Sequence, residues 1–506
     1  MVRTESCAAA MRFKTQPYKH QIDCLNRFGR KHAFALLAEM GTGKTWIAIN
    51  NLADLWSSGD CDGALVLAPN GVHTNWTRIE LPRHTPVWCR YTAAAWYSAP
   101  SRAERAALDG LFAAEASGTL RILAMNHEAL QTKRGMEFAE RFLLSCAKAA
   151  IVVDESDAYK NPSALRTKNL MKLRKHSLWR RIMSGTPITG APFDAFAQFN
   201  FLDEHILGTS SFYAFKAEYA ELLPESSPLM AAIRQRGARR APQIVARGAG
   251  GRPKYRNLDK LARLIEPHSF RVLKSDCLDL PPKIYKTVFF ELTPQQRAVY
   301  KKARDECRLA FENEETPFNK LIAVTKLAQV TSGYYLHPLA EEPVRIEGAN
   351  PKLDALMERI SSIVAAGNKA IIWARYRVEI EDICRRLREA GIECVEYHGG
   401  IGKAERVEAL DAFEHGAAQV FVGNQQAGGT GITLVAAAYV VYFSNNFSLR
   451  DRLQSEDRAH RIGQRRTVTY INLAAKGTVD EAVLRALAGK QDVAAAIVDS
   501  IRQESQ

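Results

Sequence analysis

Short apolar, β-branched runs recur along this chain in two groups, and amphipathic helical patterns separate the runs. The first group is "HAFALLA", "ALVLAP", "RILAMN", "AAIVVDE" and "RIMSG". The second is "KAIIWA", "CVEYHG", "QVFVGN", "YVVYFS" and "TVTYINLAA". Strands that are apolar on both faces and alternate with helices belong to parallel sheets covered on both sides. A chain of 506 residues is also too long for one ordinary core. The expectation is an α/β protein with two parallel-sheet lobes in tandem and a helical, basic insertion between them. The boundaries predicted are 1–215 for the first lobe, 216–280 for the insertion and linker, and 281–506 for the second lobe, with a helical protrusion at about 292–350.

The first run leads into "AEMGTGKT", positions 38–45, and then into "WIAINNLADLW". A strand, a glycine-rich turn and a helix in that order make a cradle for phosphates. Gly41 and Gly43 let the backbone N–H groups turn inward, Lys44 is a point charge for the β/γ-phosphates, and Thr45 offers a hydroxyl to Mg²⁺. Ile49, Leu52, Ala53 and Trp56 recur on one face of the helix, whose positive end faces the phosphates. The longer pattern with a first glycine is not met, because Ala38 stands there.

"AAIVVDESDAYKN" places Asp154 and Glu155 at the carboxyl end of an apolar strand, where open α/β sheets bind ligands. One carboxylate can hold Mg²⁺, and the other can orient and deprotonate a water. In "QSEDRAHRIGQRR", Arg458 and Arg461 are three apart on a predicted helix and so share a face. Spacing alone leaves two readings open, an arginine finger for a γ-phosphate and a solvated basic surface.

The net charge of +14 fits a polyanionic partner. Between 234 and 274, twelve Arg and Lys residues stand against Asp259 and Glu266 alone. Gly and Pro interrupt "RGARRAPQIVARGAGGRPKYR", which suits a flexible basic arm rather than a packed element, with Arg252, Lys254 and Arg256 as nucleic-acid candidates. A solvated loop is the other reading. No apolar run approaches bilayer length, and the N-terminus offers no apolar signal core. The nine cysteines are scattered without a CxxC pair, as in a reducing compartment. A cytoplasmic location is expected, associated with DNA or the nucleoid if the source is bacterial or viral.

From about 17 to about 484 the chain resembles, motif by motif and in order, the Swi/Snf-type helicase-like ATPases of helicase superfamily two, which are DNA translocases. "PYKHQ", "EMGTGKT", "LVLAPNGVHTNW", "ILAMNHEAL", "DESDAYKN" and "SGTPITGAPFDAFAQFNFLD" carry the first half. "HSFRVLKSDCLDLPPK", "ELTPQQRAVY", "YHGGIGKAERVEALDAF" and, most specifically, "RAHRIGQ" followed by "KGTVDE" carry the second. The resemblance implies two RecA-like lobes that close on ATP and Mg²⁺. Gln21 would read the adenine; Thr42 and Gly431 would join the nucleotide site. Ser184, Gly185, Thr186 and Gln454 would couple hydrolysis to lobe movement. Arg458 and Arg461 would be arginine fingers. Asn126, His127, Lys160 and Asn161 in the first lobe, and Arg375, His398, Gly399, Asn424 and Gln425 in the second, would grip a nucleic-acid backbone. Asp157 replaces the family's usual histidine, Ala38 a common aspartate and Phe447 a frequent tryptophan.

The function implied is ATP-dependent translocation on double-stranded DNA, with hydrolysis in the cleft between lobes driving movement and remodelling of protein–DNA complexes. A strand-separating or annealing helicase on DNA or RNA, and a nucleotide-gated DNA clamp with little turnover, are the alternatives. No membrane is implicated; a monomer is compatible with the sequence, and protein partners are not legible in it.

Overall fold

The computed structural model describes residues 13–113, 116, 118–185, 188, 191–227, 230, 243–248, 253–277, 280–312, 317–335, 344–425 and 432–489, with backbone alone for 307–323 and 403. The chain divides into two compact units, Met1–Leu278 and Asp279–Gln506.

In the first unit, seven strands form one parallel sheet: β1 (Ala33–Ala38), β2 (Gly63–Ala68), β3 (Tyr91–Ala95), β4 (Leu120–Asn126), β5 (Ala149–Asp154), β6 (Trp179–Met183) and β7 (Ser269–Val272). Their order across the sheet is β3-β4-β2-β5-β6-β1-β7. Alternate residues of a strand face opposite sides, and the core follows that rule. Leu65, Leu67, Ile151 and Val153 pack with Phe142 and Phe199 on one face. Ala64, Val66 and Val152 pack with Ile47, Leu52 and Trp76 on the other. Helices α1 (Lys19–Phe28) and α2 (Lys44–Ser57) belong to the second of these layers.

The second unit holds a six-stranded parallel sheet of β8 (Lys283–Phe290), β11 (Lys369–Trp373), β12 (Cys394–Tyr397), β13 (Val420–Gly423), β14 (Ala437–Tyr442) and β15 (Val468–Ala475), in the order β12-β13-β11-β14-β15-β8. A separate antiparallel pair joins β9 (Tyr334–Tyr335) to β10 (Val344–Arg345). The helices Pro294–Glu312 and Pro317–Thr331 lie between β8 and β9 in the chain, within the stretch expected to protrude. Helix α3 (Leu449–Ala459) follows β14.

The α/β class and the two parallel sheets agree with the sequence. The sheets are nevertheless wider than the two groups of runs, by β3, β7 and β8. All three lie at sheet edges. An edge strand is covered less, so its composition need not be uniformly apolar; β8 is exposed along most of its length.

One expectation is corrected. The described part of the basic segment is not an unpacked arm. Isolated antiparallel bridges join Ala220 to Tyr255, Leu222 to Val245 and Arg247 to Pro253. Tyr255 meets Phe193 edge-on at 5.7 Å between ring centroids. Its apolar residues give the segment something to bury, and neighbouring acceptors occupy its cations: Lys254 pairs with Glu221 at 3.0 Å, and Arg256 donates to the carbonyls of Ala217 and Glu218. Arg252 lies outside the described residues.

Candidate active site

The carboxyl ends of β1, β5 and β6 bring one cluster together. After β1, Gly41 and Gly43 take φ of 79° and 84°, the left-handed region that side chains disfavour. Gly43 caps α2, and a Cβ there would stand 2.1 Å from Nε2 of Gln21. Gln21 is buried against the loop, its Nε2 directed at the carbonyls of Thr42 and Gly43 and its Oε1 accepting from Tyr18 N at 2.8 Å. The Thr42 hydroxyl donates to Glu39 O at 2.7 Å. Lys44, 9% exposed, folds back so that Nζ donates to Ala38 O at 2.8 Å and Glu39 O at 3.3 Å. Thr45 follows in the first turn of α2, half-buried.

Asp154 ends β5, buried, and accepts from the indole of Trp76 at 3.2 Å and from Glu155 N at 3.1 Å. Burial first, and the Glu155 charge second, push its carboxyl up to about 6 against the opposing pull of Lys44. Glu155 sits at φ 50° and ψ 58°. A non-glycine residue in that region costs of order 1–3 kcal/mol, a cost that clusters at functional sites. Beside β6, Ser184 is fully buried, and its N–H donates to Leu36 O at 3.1 Å. A Cβ on Gly185 would come within 3.4 Å of Met40 N, so this segment touches the loop that carries Lys44. Thr186 lies outside the described residues.

A pH dependence follows. Below about pH 4 Asp154 is neutral in both the folded and unfolded states. Between its ordinary 3.8 and about 6 the folded chain keeps a proton that the unfolded chain releases, so stability falls as pH rises through that window. Asp154→Asn removes the titration. The nucleotide-free variant is expected to gain on wild type by ~3 kcal/mol between pH 4 and 7. Urea melts across that range check it; a gap independent of pH refutes it.

In the second unit α3 carries Arg458, while Arg461 lies beyond its end at Ala459. The expectation that both sit on one helical face is corrected. Gly463, at φ 102°, lets the chain turn there, and Gln464 takes over the freed helix end. Its Nε2 donates to Ala459 O, Ala437 O and Val435 O at 3.1, 2.9 and 3.1 Å, while its Oε1 accepts from Arg465 N and Arg466 N. The two guanidinium groups still converge, since Nη1 of each donates to Ile432 O at 3.3 Å. Gly431, the preceding residue, lies outside the described residues. Gln454 is buried on α3.

Behind those arginines is a network that sequence reasoning missed. Glu456 accepts from Arg452 at 2.9 Å, Lys283 at 3.1 Å and the Tyr285 hydroxyl at 2.7 Å. Burial alone would raise its carboxyl; Arg452, Lys283 and Tyr285 together outweigh burial and hold it below the ordinary value. Its signal was present as the acid inside "QSEDRAHR", and Gln464 as the last letter of "RIGQ".

The candidate nucleic-acid residues Asn126, His127, Arg375, His398, Gly399, Asn424 and Gln425 lie at or just beyond strand ends, Lys160 and Asn161 lie after the short turn that follows β5, and they differ in exposure. His127 is buried, its Nδ1 3.1 Å from the Tyr159 hydroxyl, whereas Asn126 next to it is half-buried and donates to Glu128. Lys160 and Asn161 are exposed, with Lys160 4.0 Å from Asp194. Arg375 follows β11, its guanidinium 4.2 Å from the Phe447 ring, and its carbonyl accepts from Asn424 at 2.6 Å. Gln425 is buried between Ser455 on α3 and Asn446 N. His398 is buried, with Nδ1 accepting from Gly400 N, and Gly399 is exposed.

Two parallel-sheet units, one with a glycine turn and Lys44 ahead of a helix and the other with two convergent arginines, give the chain a RecA-like build. The model of the SNF2-related domain family matches residues 20–333, and that of the helicase conserved C-terminal domain matches 351–463. The chain belongs to the SNF2-related family. Chromodomain-helicase-DNA-binding protein 1-like of Mus musculus is 25% identical over 469 residues, 91% of this chain and 47% of that protein. The putative ATP-dependent helicase/translocase YwqA of Bacillus subtilis is 26% identical over 475 residues, 92% of this chain and 46% of its own length. The solved Sulfolobus solfataricus SWI2/SNF2 ATPase core in complex with dsDNA is 24% identical, with a TM-score of 0.41 over 94% of this chain and 92% of that one. The chain spans about half the length of these curated relatives. Among the described residues no helix is long and apolar enough to cross a membrane.

Proposed function

We propose that this chain is a DNA-dependent ATPase that converts hydrolysis into movement along duplex DNA and remodelling of what is bound there. The observation that carries the reading is the convergence of Lys44, Asp154, Glu155 and the Ser184–Gly185 segment at the carboxyl end of one sheet. The family supports it, and so does a relative named a helicase/translocase over nearly the whole chain.

In this reading Gly41, Gly43 and Lys44 hold the phosphates of ATP, with Gln21 and Thr42 shaping the loop. Glu155 orients the attacking water and takes its proton. Arg458 and Arg461 neutralise charge developing on the γ-phosphate, so turnover needs both units. A Mg²⁺ ion fits the oxygen donors on offer: the Thr45 hydroxyl and the Asp154 carboxylate, whose raised affinity for a proton a divalent cation would offset. It would supply charge neutralisation at the phosphates. Among the described residues no group of three or more acidic, His or Cys side chains could hold a metal alone. Phosphate oxygens and water would complete the shell.

Contacts to a nucleic-acid backbone fix position without reading sequence. Exposed Lys160, Asn161 and Gly399, and half-buried Asn126, Arg375 and Asn424, suit that role. His127, His398 and Gln425 would support their neighbours from beneath.

The test is steady-state ATP turnover without nucleic acid and with duplex DNA, single-stranded DNA or RNA, alongside triplex displacement. Duplex is expected to stimulate turnover most, and the third strand to leave only with ATP. Equal, negligible turnover in all arms would instead mark a nucleotide-gated clamp. Unwinding of forked substrates would mark a strand-separating helicase.

A further inference from the structure

Near its start the second unit carries "LPPKIY", 280–285, in which Pro281, Lys283 and Tyr285 reach the arginine helix or the residue just after it, while Pro282 and Ile284 pair with β15. Nε2 of His460 is 2.7 Å from Pro281 O. Lys283 reaches both Glu456, at 3.1 Å, and Asp457, at 3.5 Å. Tyr285 donates to the same Glu456 carboxylate at 2.7 Å and stacks on Tyr470 at 5.2 Å, while the Tyr470 hydroxyl donates to Glu456 O at 2.8 Å. The entering segment and the helix bearing Arg458 are therefore joined by a backbone acceptor, two ion pairs and a hydroxyl. These joints enclose one carboxylate whose side chain is only 5% exposed. Glu456 is also anchored from the far side by Arg452, which donates in turn to Asn445 and Asn472, each at 2.7 Å.

We propose that Lys283 and Glu456 are a positioning pair through which the path of the chain entering the second unit sets where Arg458 and Arg461 stand. The inference rests on the ATPase reading and adds to it a mechanical route from the linker to the arginines. Lys283, 24% exposed, pairs with a carboxylate only 5% exposed, and removing it leaves that buried charge to Arg452 and the Tyr285 hydroxyl. The start of β8, held in register with β15, is thus tied to the helix through the two carboxylates that Lys283 reaches. Placement errors of about 1 Å cost as much as ~10²-fold in rate. The lever is short.

The test uses the full chain with saturating duplex DNA. For Lys283→Met, kcat is expected to fall by up to ~10²-fold, with KM for ATP, affinity for a fluorescent ADP analogue and duplex affinity within ~2-fold of wild type. Lys283→Arg is expected to restore most of the rate. Lys283→Met combined with Glu456→Gln should be no slower than the worse single variant, as for residues acting as one unit. If Lys283→Met does not fold, Tyr285→Phe, which removes one hydroxyl from the same carboxylate, carries the kcat comparison. Amide exchange across 449–464 gives a readout free of catalysis, expected to quicken ~10-fold in Lys283→Met while β11 and β13 stay protected. Unchanged kcat, strictly additive losses or unchanged exchange in 449–464 would overturn the proposal. A wild type that never hydrolyses ATP would remove the ATPase reading instead, and exchange alone would then decide the pair.

Discussion

Replacing Arg458 and Arg461 together with alanine is expected to lower kcat for ATP by ~10³–10⁵, the range that arginine fingers supply in phosphoryl transfer. ATP affinity should change far less, because Gly41, Gly43 and Lys44, proposed to hold the phosphates, belong to the first unit. The two side chains meet at one acceptor, Ile432 O. Each single variant leaves one guanidinium in place, so the singles should fall between wild type and the double. Arg458 is buried and hydrogen-bonded, so the variants need a folding control. Thermal melts within a few degrees of wild type, with nucleotide binding retained, would assign the loss to chemistry. A double variant turning over as fast as its parent would show that the second unit contributes nothing to hydrolysis.

Glu155→Gln should cost ~10²–10⁴ in kcat, the usual scale for a general base, while ATP still binds. Glutamine keeps the length and hydrogen-bonding reach of the side chain and removes only its ability to take a proton. The backbone state is the same burden for either residue, since both carry a Cβ at φ 50°. The comparison therefore isolates the carboxylate. A collapse of ATP affinity together with the rate would make Glu155 a structural residue.

Much of this was legible beforehand, and what was not has physical reasons. Buried central strands such as β2 and β5 must be apolar on both faces, so "ALVLAP" and "AAIVVDE" announce themselves. The turn after β1 is legible because left-handed turns favour glycine, as Gly41 and Gly43 show. "YTAAA", "SFRV" and "KIYKTVFF" escaped because edges carry no such demand. The bridged state of 243–248 and 253–256 was hidden by the charge of the segment, which says nothing of the main-chain bridges at Val245 and Tyr255 or of the Tyr255 ring contact. Spacing put Arg458 and Arg461 on one helix, yet they converge through a turn that Gln464 closes with side-chain hydrogen bonds. His127 and His398 looked like surface contacts because strand ends lie near solvent; what their rings pack against is a tertiary fact.

The pairing of β7 with β1 bears on the order in which a ribosome delivers this protein. Leu36 lies in register with Phe270, and the side chain of Glu39, beside the nucleotide loop, receives Lys274 N from 235 positions later. Until translation has passed that point, β1 has an open flank, with unpaired main-chain groups of the kind that recruit stray strands. A nascent chain halted within the basic stretch thus holds every residue of its proposed phosphate cradle and still lacks the strand that flanks it. Fragments ending before 269, which leave the six-residue β1 open, should aggregate faster than those ending after 277, which leave only the four-residue β7 at that edge.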